Sequence, residues 1–416
     1  MGEAPGILLG FDAALAVVRG HAARVGATKA EAVHLLAGRG RMLAEEVRAD
    51  RDQPPFDRST RDGFAVRAED VDGESELRVI GQVRAGEQWM GGTVKRGSAV
   101  EIMTGAPVPA GTDAVVMVEH VTRAWDGIRI ESGRRLRVGE NVVPRGSEAR
   151  AGQTVLATGT EIGAAEIALA AGCGCSELKV FGRPRVAIVA TGDELVELGG
   201  AKTLGESQIW NSNSYGIAAM VEEAGGEALR MPVAADRREA LEAIIAEART
   251  AKLLVLSGGV SMGEYDLVEE VLLGMGAEFF FTGVRMQPGK PVVFGRLPAL
   301  GDVREQYFFG LPGNPVSTQV TFHCFVEPLL RAMCGAGVSA PRFVMAALAE
   351  EVVGKAGLMR VLPARLTSDR VRPEVRLVGW QGSGDLAAHA RANCYAVLPP
   401  DKERFVLGDL ITVLLR

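Results

Sequence analysis

Phe11, Leu15 and Val18, then Ala32, Leu35 and Leu36, recur at helical spacing, so the first 50 residues predict helix. Pro54-Pro55 ends that segment, because proline has no N–H to donate and keeps the residue before it out of helical geometry. From Phe56 to about Val142 the pattern changes. Short apolar runs at 77–80, 99–103, 114–118 and 128–130 alternate with Gly, Pro and Asp turns, which predicts a β-rich insert over 54–142. Residues 143–180 return to a mixed pattern with a helix from Ile162 to Ala171. They are expected to pack with the N-terminal helices as one split mixed domain, 1–53 and 143–180.

Residues 181–332 alternate strand and helix. Strands are predicted at 186–190, 253–256 and 307–309, and helices at 215–223 and 267–273. Asp236-Arg237-Arg238-Glu239 has the form of a capping box, followed by Leu241, Ile244, Ile245 and Ala248 on one helical face. This order predicts a doubly wound α/β domain around an open parallel sheet, with ligands outside the carboxyl ends of its strands. In 333–416, Val352, Val361, 375–378, 395–398 and 410–414 are strand candidates, which predicts a small C-terminal β-domain. The fold class is therefore multidomain α/β, with four parts in an elongated chain.

Composition narrows the function. The 416 residues carry 46 Lys+Arg against 52 Asp+Glu, a net charge of −6, which argues against a dedicated nucleic-acid binder. Apolar runs such as 343–349 fall far short of the ~18–20 residues of a membrane span. Met1-Gly2-Glu3-Ala4-Pro5 has no basic stretch before an apolar core. Five scattered cysteines and five histidines show no disulfide framework or metal spacing. A cytoplasmic protein with reduced cysteines is expected. Glycine stands out: 52 residues, about 12% against a typical ~7%, with no collagen-like period.

Three of the glycine-rich loops follow predicted strands: Thr191-Gly192-Asp193-Glu194, the stretch from Ser257-Gly258-Gly259 to Asp266, and Gly310-Leu311-Pro312-Gly313-Asn314-Pro315-Val316-Ser317. All three are expected at the same sheet edge, where backbone amides and helix N-termini can cradle an anion. Lys290, in Pro288-Gly289-Lys290-Pro291, adds a positive charge. Asp193 and Asp266 suit a hydrated Mg²⁺ that bridges phosphate oxygens. Each residue also has a plainer reading. Asp266 with Glu269 forms a capping pattern, Asp193 could cap a helix, Ser317 could be a first-turn residue, and Lys290 a solvated charge. Together the loops predict a phosphate or oxyanion site.

These loops also resemble the signature of the MoeA/gephyrin E-domain family, the molybdopterin molybdenumtransferases. The resemblance covers essentially the whole chain. Ser59-Thr60-Arg61-Asp62-Gly63-Phe64-Ala65 is similar to the family's S-x-M-D-G-Y-A loop, and Thr104-Gly105-Ala106-Pro107 and Gly111-Thr112-Asp113-Ala114-Val115-Val116 to its second-domain motifs. Gln208-Ile209-Trp210-Asn211-Ser212-Asn213 resembles G-Q-I-x-N-S-N, and Gln381-Gly382-Ser383-Gly384 the C-terminal loop. The resemblance implies insertion of molybdate into adenylated molybdopterin with release of AMP, assisted by Mg²⁺. It implies catalytic or positioning roles for Asp62, Asp193, Asp266 and Lys290, with Asp193 and Asp266 on the metal. Lys290, Ser317, Arg365 and Ser383 are implied for the oxyanion. Thr104, Ser257, Gly258, Gly259, Ser261, Gly289, Pro291, Gly313 and Asn314 are implied as further substrate contacts. It also implies a homodimer whose insert faces the partner's α/β and C-terminal domains, and a molybdopterin adenylyltransferase as a partner.

The chain departs from the family pattern at four places. Arg61 stands for Met, Phe64 for Tyr, Gln287 for a lysine, and Gly146-Ser147-Glu148 for G-E-D. The nearest alternative enzyme is molybdopterin adenylyltransferase, whose fold resembles residues 181–332 alone. A gephyrin-like scaffold is the alternative of another class; the acids together with Lys290 and Ser317 argue against it. Tungstate and molybdate, both tetrahedral dianions, are not distinguished.

Overall fold

A computed structural model of the chain describes residues 6–73, 75–200, 203–259, 267–368 and 371–416. The first predicted helix forms as α1 (Phe11–Ala22), with Phe11, Ala14, Leu15, Val18 and Ala22 buried along one stripe. The second does not form. Ala30–His34 is a strand antiparallel to Glu177–Phe181, and Leu35–Gly38 is a single 3₁₀ turn. Three apolar residues within five positions fit a helical face and a strand–turn junction equally well. Tertiary packing decides: Val33 and Leu35 seat on Leu178, Val180 and Ile167 of α2 (Ala164–Gly172).

All four apolar runs of the insert are strands of one six-stranded sheet. Its order is Ala114–Met117, Gly63–Val66, Ser98–Ile102, Glu76–Val83, Gly127–Ile130, Val121–Arg123. Alternate residues bury on opposite faces, Phe64 and Val66 among Val116 and Ile128, Ala65 among Val100 and Val115.

The central sheet runs Glu227–Arg230, Arg185–Ala190, Leu253–Ser257, Gln306–Leu311, Val293–Leu297, Glu278–Phe281. The first four strands are parallel, as expected. The last two, which the apolar pattern did not single out, are antiparallel, so the sheet is mixed. Both faces are covered. Val186 and Ile188 meet α3 (Asn213–Glu223), while Ala187 and Val189 meet α4 (Arg238–Ala248) and α5 (Leu267–Gly274). On the α3 face, α6 (Pro315–Thr321) continues through a π-helical turn, Phe322–Val326, into α7 (Glu327–Met333).

The N-terminal helix belongs to this core, contrary to expectation. Phe11 lies 5.7 Å from Phe325 between ring centroids, and α1 packs along α7. Its buried stripe shares one core with Phe322, Phe325, Leu329 and Met333, whereas the core around α2 is built from residues 33–47 and 155–180.

The C-terminal β-domain closes on itself. Met359–Ser368, Pro373–Leu377, Phe343–Leu348, Leu410–Leu415 and Cys394–Leu398 pair in sequence, and the last pairs back to the first, a five-stranded barrel around Leu348, Leu362, Val375 and Val413. Met359, Val361, Tyr395 and Val397 instead join the central core. The helix α8 (Leu386–Arg391) leads into Cys394–Leu398, capped by Asp385, whose carboxylate accepts from Ala388 N at 2.9 Å. No helix among the described residues is long and apolar enough to cross a membrane.

His389 of α8 is buried, with Nε2 2.7 Å from the Tyr395 hydroxyl. Burial, with the positive charge of Arg416 and the nearby His323, pushes its pKa from 6.5 down to about 4. The folded chain thus holds a neutral imidazole that the unfolded chain would protonate. This contribution to stability is complete above pH 6.5 and is lost as pH falls towards about 4. The melting temperature of wild type is therefore expected to fall over that window, and more steeply than that of His389→Gln. Parallel curves would contradict the assignment.

Candidate functional site

Three adjacent parallel strands, Arg185–Ala190, Leu253–Ser257 and Gln306–Leu311, end at one sheet edge, where the predicted loops come together. They wall a cavity of about 750 Å³, with Thr191, Gly192, Ser257, Gly258, Gly259 and Gly313 among its lining residues. The loops approach as closely as backbone permits. Gly258 has φ +93°, and a Cβ there would stand 2.4 Å from the Thr191 carbonyl oxygen. Gly313 lies against it, a built Cβ reaching 3.6 Å from Gly258 Cα.

One side chain ties the loops together. Asn213, at the start of α3, directs its amide to Ser257 Oγ at 3.0 Å, to the Gly313 carbonyl at 2.7 Å and to Thr318 Oγ1 at 3.3 Å. Two N–H groups are shared among three acceptors on two loops and α6. Beside it, Glu197 accepts from Tyr215 Oη at 2.6 Å, from Asn211 Nδ2 at 3.0 Å and from Arg230, whose guanidinium covers the Tyr215 ring at 3.5 Å. Burial alone would raise the Glu197 carboxyl, but these bonds outweigh it and hold it below the usual range. Neither Asn213 nor Asp236 was among the residues expected at the site, although Asn213 ends the Gln208–Asn213 motif.

Asp236 does not act as the expected cap. Arg237 holds the cap position of α4 without a side-chain bond, and Asp236 instead accepts from the Thr191 hydroxyl and lines the cavity. Asp193 is exposed and receives the Asp236 N–H at 3.2 Å, which joins the two acids. Asp193 is not itself on the cavity wall; Glu194 and Asp236 are. Ser261 and Asp266 lie outside the described residues.

Of the expected oxyanion residues, Lys290, Ser317 and Ser383 are within two residues of the wall along the chain, and Arg365 is not. Lys290 is exposed and adjoins Pro291, which lines the cavity; its ammonium makes no hydrogen bond or ion pair among the described residues. Gly289, φ +105°, lets α6 close on this loop, since a Cβ would meet Thr321 Cγ2 at 2.4 Å. Ser317 is buried on α6, two residues beyond Pro315 of the wall, while Asn314 lines it directly. The Ser383 carbonyl accepts from Val316 N at 2.9 Å, so the barrel loop is docked on α6 and brings Gly384 and Leu386 to the cavity. Arg365 is exposed on the barrel opposite Arg376 and is not brought to the wall.

Asp62 and Thr104 form a separate pair. Asp62 Oδ1 accepts from Thr104 N at 2.7 Å and from Thr104 Oγ1 at 2.9 Å. Those bonds, the backbone one first, hold its carboxyl below the usual range. Neither residue lines the cavity, whose described walls begin at Ala190. Phe64 is fully buried in the sheet and takes no part in this pair. Glu148, the acid of the Gly146-Ser147-Glu148 stretch, pairs with Arg58 at 3.1 Å.

No three His, Cys, Asp or Glu side chains among the described residues are grouped to hold a metal on their own. Magnesium rarely asks for such a cage; one or two carboxylates beside substrate phosphates suffice. Asp193, Glu194 and Asp236 fit that requirement, with hard oxygens beside the glycine loops of the cavity.

Comparison with known proteins agrees with this architecture. Residues 9–174 match the MoeA N-terminal region (domain I and II), 187–332 a probable molybdopterin binding domain, and 345–415 the MoeA C-terminal region (domain IV). The chain is 34% identical over 395 residues to a molybdopterin molybdenumtransferase of Haemophilus influenzae, covering 93% of this chain and 94% of that one. It is 36% identical over 392 residues to one of Nostoc sp., covering 92% and 88%. A crystal structure of the molybdopterin biosynthesis MoeA protein from Pyrococcus horikoshii superposes with a TM-score of 0.73 at 32% identity, covering 98% of this chain and 99% of that one. With three family regions in order along one chain and such relatives over nearly its full length, this chain belongs to the MoeA family.

Proposed function

We propose that this chain is a molybdopterin molybdenumtransferase, which takes adenylated molybdopterin, inserts molybdate at the dithiolene and releases AMP. The observation that carries this reading is the convergence of three glycine loops, Asn213 and the Lys290 loop on one cavity. Molybdate is a tetrahedral dianion, and the departing nucleotide is also an anion. Both need amides, hydroxyls and a cation held without reorganisation. Asn213 fixes the spacing of two loops, and Lys290 supplies a positive charge beside Pro291 that is unpaired among the described residues. The Ser383 carbonyl accepts from Val316 N, which keeps the Ser383 loop beside Ser317 and next to the residues Asn314, Pro315 and Gly384 of the cavity wall.

Mg²⁺ is the proposed cofactor, held by Asp193 with Glu194 or Asp236; when bound it would neutralise charge on the departing phosphate. We further propose that the site is shared across a homodimer. Asp62 and Thr104 present an ionised carboxylate and a hydroxyl that the cavity of their own chain does not use. A symmetric pair would offer both to the partner's cavity. A molybdopterin adenylyltransferase is the proposed source of the substrate.

Pure protein incubated with adenylated molybdopterin, Mg²⁺ and molybdate is expected to release AMP, and release is expected to require both added ions. Production of adenylated pterin from ATP instead would identify an adenylyltransferase. No turnover in either direction would leave only a scaffold role.

A further inference from the structure

Two short strands, Leu195–Val196 and Ile209–Trp210, lie side by side in parallel, with Leu195 opposite Ile209 and Val196 opposite Trp210. Glu194 O accepts from Ile209 N, and Val196 O from Asn211 N, both at 2.9 Å, so the backbone on either side of Trp210 is fixed. Glu197 and Asn211 clamp the same strap to α3. Trp210 is the one aromatic residue among the described residues that line the cavity.

Among the described residues its ring has no partner: it stacks on no other ring, and its indole N–H donates to nothing, whereas the Trp89 N–H meets the Gly92 carbonyl at 2.7 Å. Trp210 is only half-buried, and its companions on the wall are Leu195, Ile209 and Leu386, with Ile209 54% and Leu386 38% exposed. A cavity lined by glycine backbone and acids, and also by three aliphatic side chains and an indole without a partner among the described residues, matches a ligand of two chemistries. Such a ligand carries a phosphate and a flat heterocycle. Aromatic side chains offer π-faces on which such rings stack.

We propose that Trp210, which lines the cavity together with Ile209 and Leu386, is the shelf on which the planar heterocycle of the substrate stacks, purine or pterin. This deepens the molybdenum-inserting reading and rests on it for the class of substrate. The shelf sets ring recognition, while the glycine loops take the phosphate.

Three probes separate the parts: AMP, neopterin as a free pterin, and ribose 5-phosphate, which has the phosphate without a ring. Binding to the full chain is measured by calorimetry and by quenching of tryptophan fluorescence. Trp210→Ala is expected to weaken the ring-bearing probe by about tenfold while ribose 5-phosphate stays within about twofold. Trp210→Phe is expected to keep that affinity within about threefold and to lose the ligand-induced quench, because a stacking face remains without the indole. Dependence confined to AMP assigns the shelf to the purine; dependence confined to neopterin assigns it to the pterin. Wild-type affinity of Trp210→Ala for both overturns the proposal. So does an equal loss of ribose 5-phosphate, which would make Trp210 a support of the loops, or a wild-type chain that binds neither ring. AMP release with an unchanged KM in Trp210→Ala would remove the shelf and leave the activity standing. A wild type that binds AMP through Trp210 yet never releases it from adenylated molybdopterin would remove the activity and leave the shelf.

Discussion

A chain carrying Asp62→Ala and one carrying Lys290→Ala, each expected to be inactive alone, should regain AMP release when unfolded together and refolded as mixed dimers. The basis is geometric. Every described residue lining the cavity lies at or beyond Ala190, whereas Asp62 is fixed on the insert by two bonds from Thr104. In a symmetric dimer with shared sites, a mixed pair holds one site with both lesions and one with neither. At equal mixing about half the dimers are mixed, so about a quarter of all sites should be intact. A site built within one chain would keep a lesion everywhere and recover nothing. Tagged subunits establish that exchange took place; no recovery despite exchange would sink the shared site.

The second large effect is expected at Gly258. Alanine there meets two obstacles: φ +93°, which side chains avoid, and the Thr191 carbonyl 2.4 Å from the new Cβ. Backbone strain of this kind costs about 1–3 kcal/mol before any overlap is counted. To relieve the overlap the Thr191 loop must move, and it carries Asp193 and the hydroxyl that holds Asp236. Displacement of that order at a reacting centre can cost roughly 100-fold in rate. Gly258→Ala should therefore lower the melting temperature by several degrees, at ~2–4 °C per kcal/mol for a unit of this size, and lower AMP release by about 100-fold. Gly313→Ala is the control, since its Cβ would make only ordinary contact at 3.6 Å and its φ is not positive. Equal behaviour of the two variants would refute the steric argument.

The parts of the site that were legible in the sequence are those written locally. An apolar run followed at once by glycines and an acid places a loop at a strand end, and 186–190 with Thr191-Gly192-Asp193 did so without help from elsewhere. The insert was legible for the same reason, its runs being short and separated by turn residues. What was not legible depends on partners far away in the chain. Ala32, Leu35 and Leu36 match a helical face, and only Leu178 and Val180 turn that segment into strand and turn. Asp236 has the sequence of a cap, and only the Thr191 hydroxyl diverts it. Closure of the barrel is a pairing of Cys394–Leu398 with Met359–Ser368, which no run of residues announces. Asn213 lay inside a motif, yet its three acceptors come from residues 257, 313 and 318.

The seat of α1 on α7 has a consequence for the order in which the protein is made. The Thr28 hydroxyl meets the carbonyl of Met333, 305 residues later, and the apolar stripe of α1 just before it is buried by the same late helix. At ~5–20 residues per second on the ribosome, the helix waits roughly 15–60 s for its groove. Throughout that interval Phe11, Leu15 and Val18 have no native surface to cover them, while the insert can already pair all its own strands. The first helix therefore docks only once α7 has emerged, with the barrel strands still to follow, and nascent chains stalled before residue 327 should be the ones that holdase chaperones retain through α1.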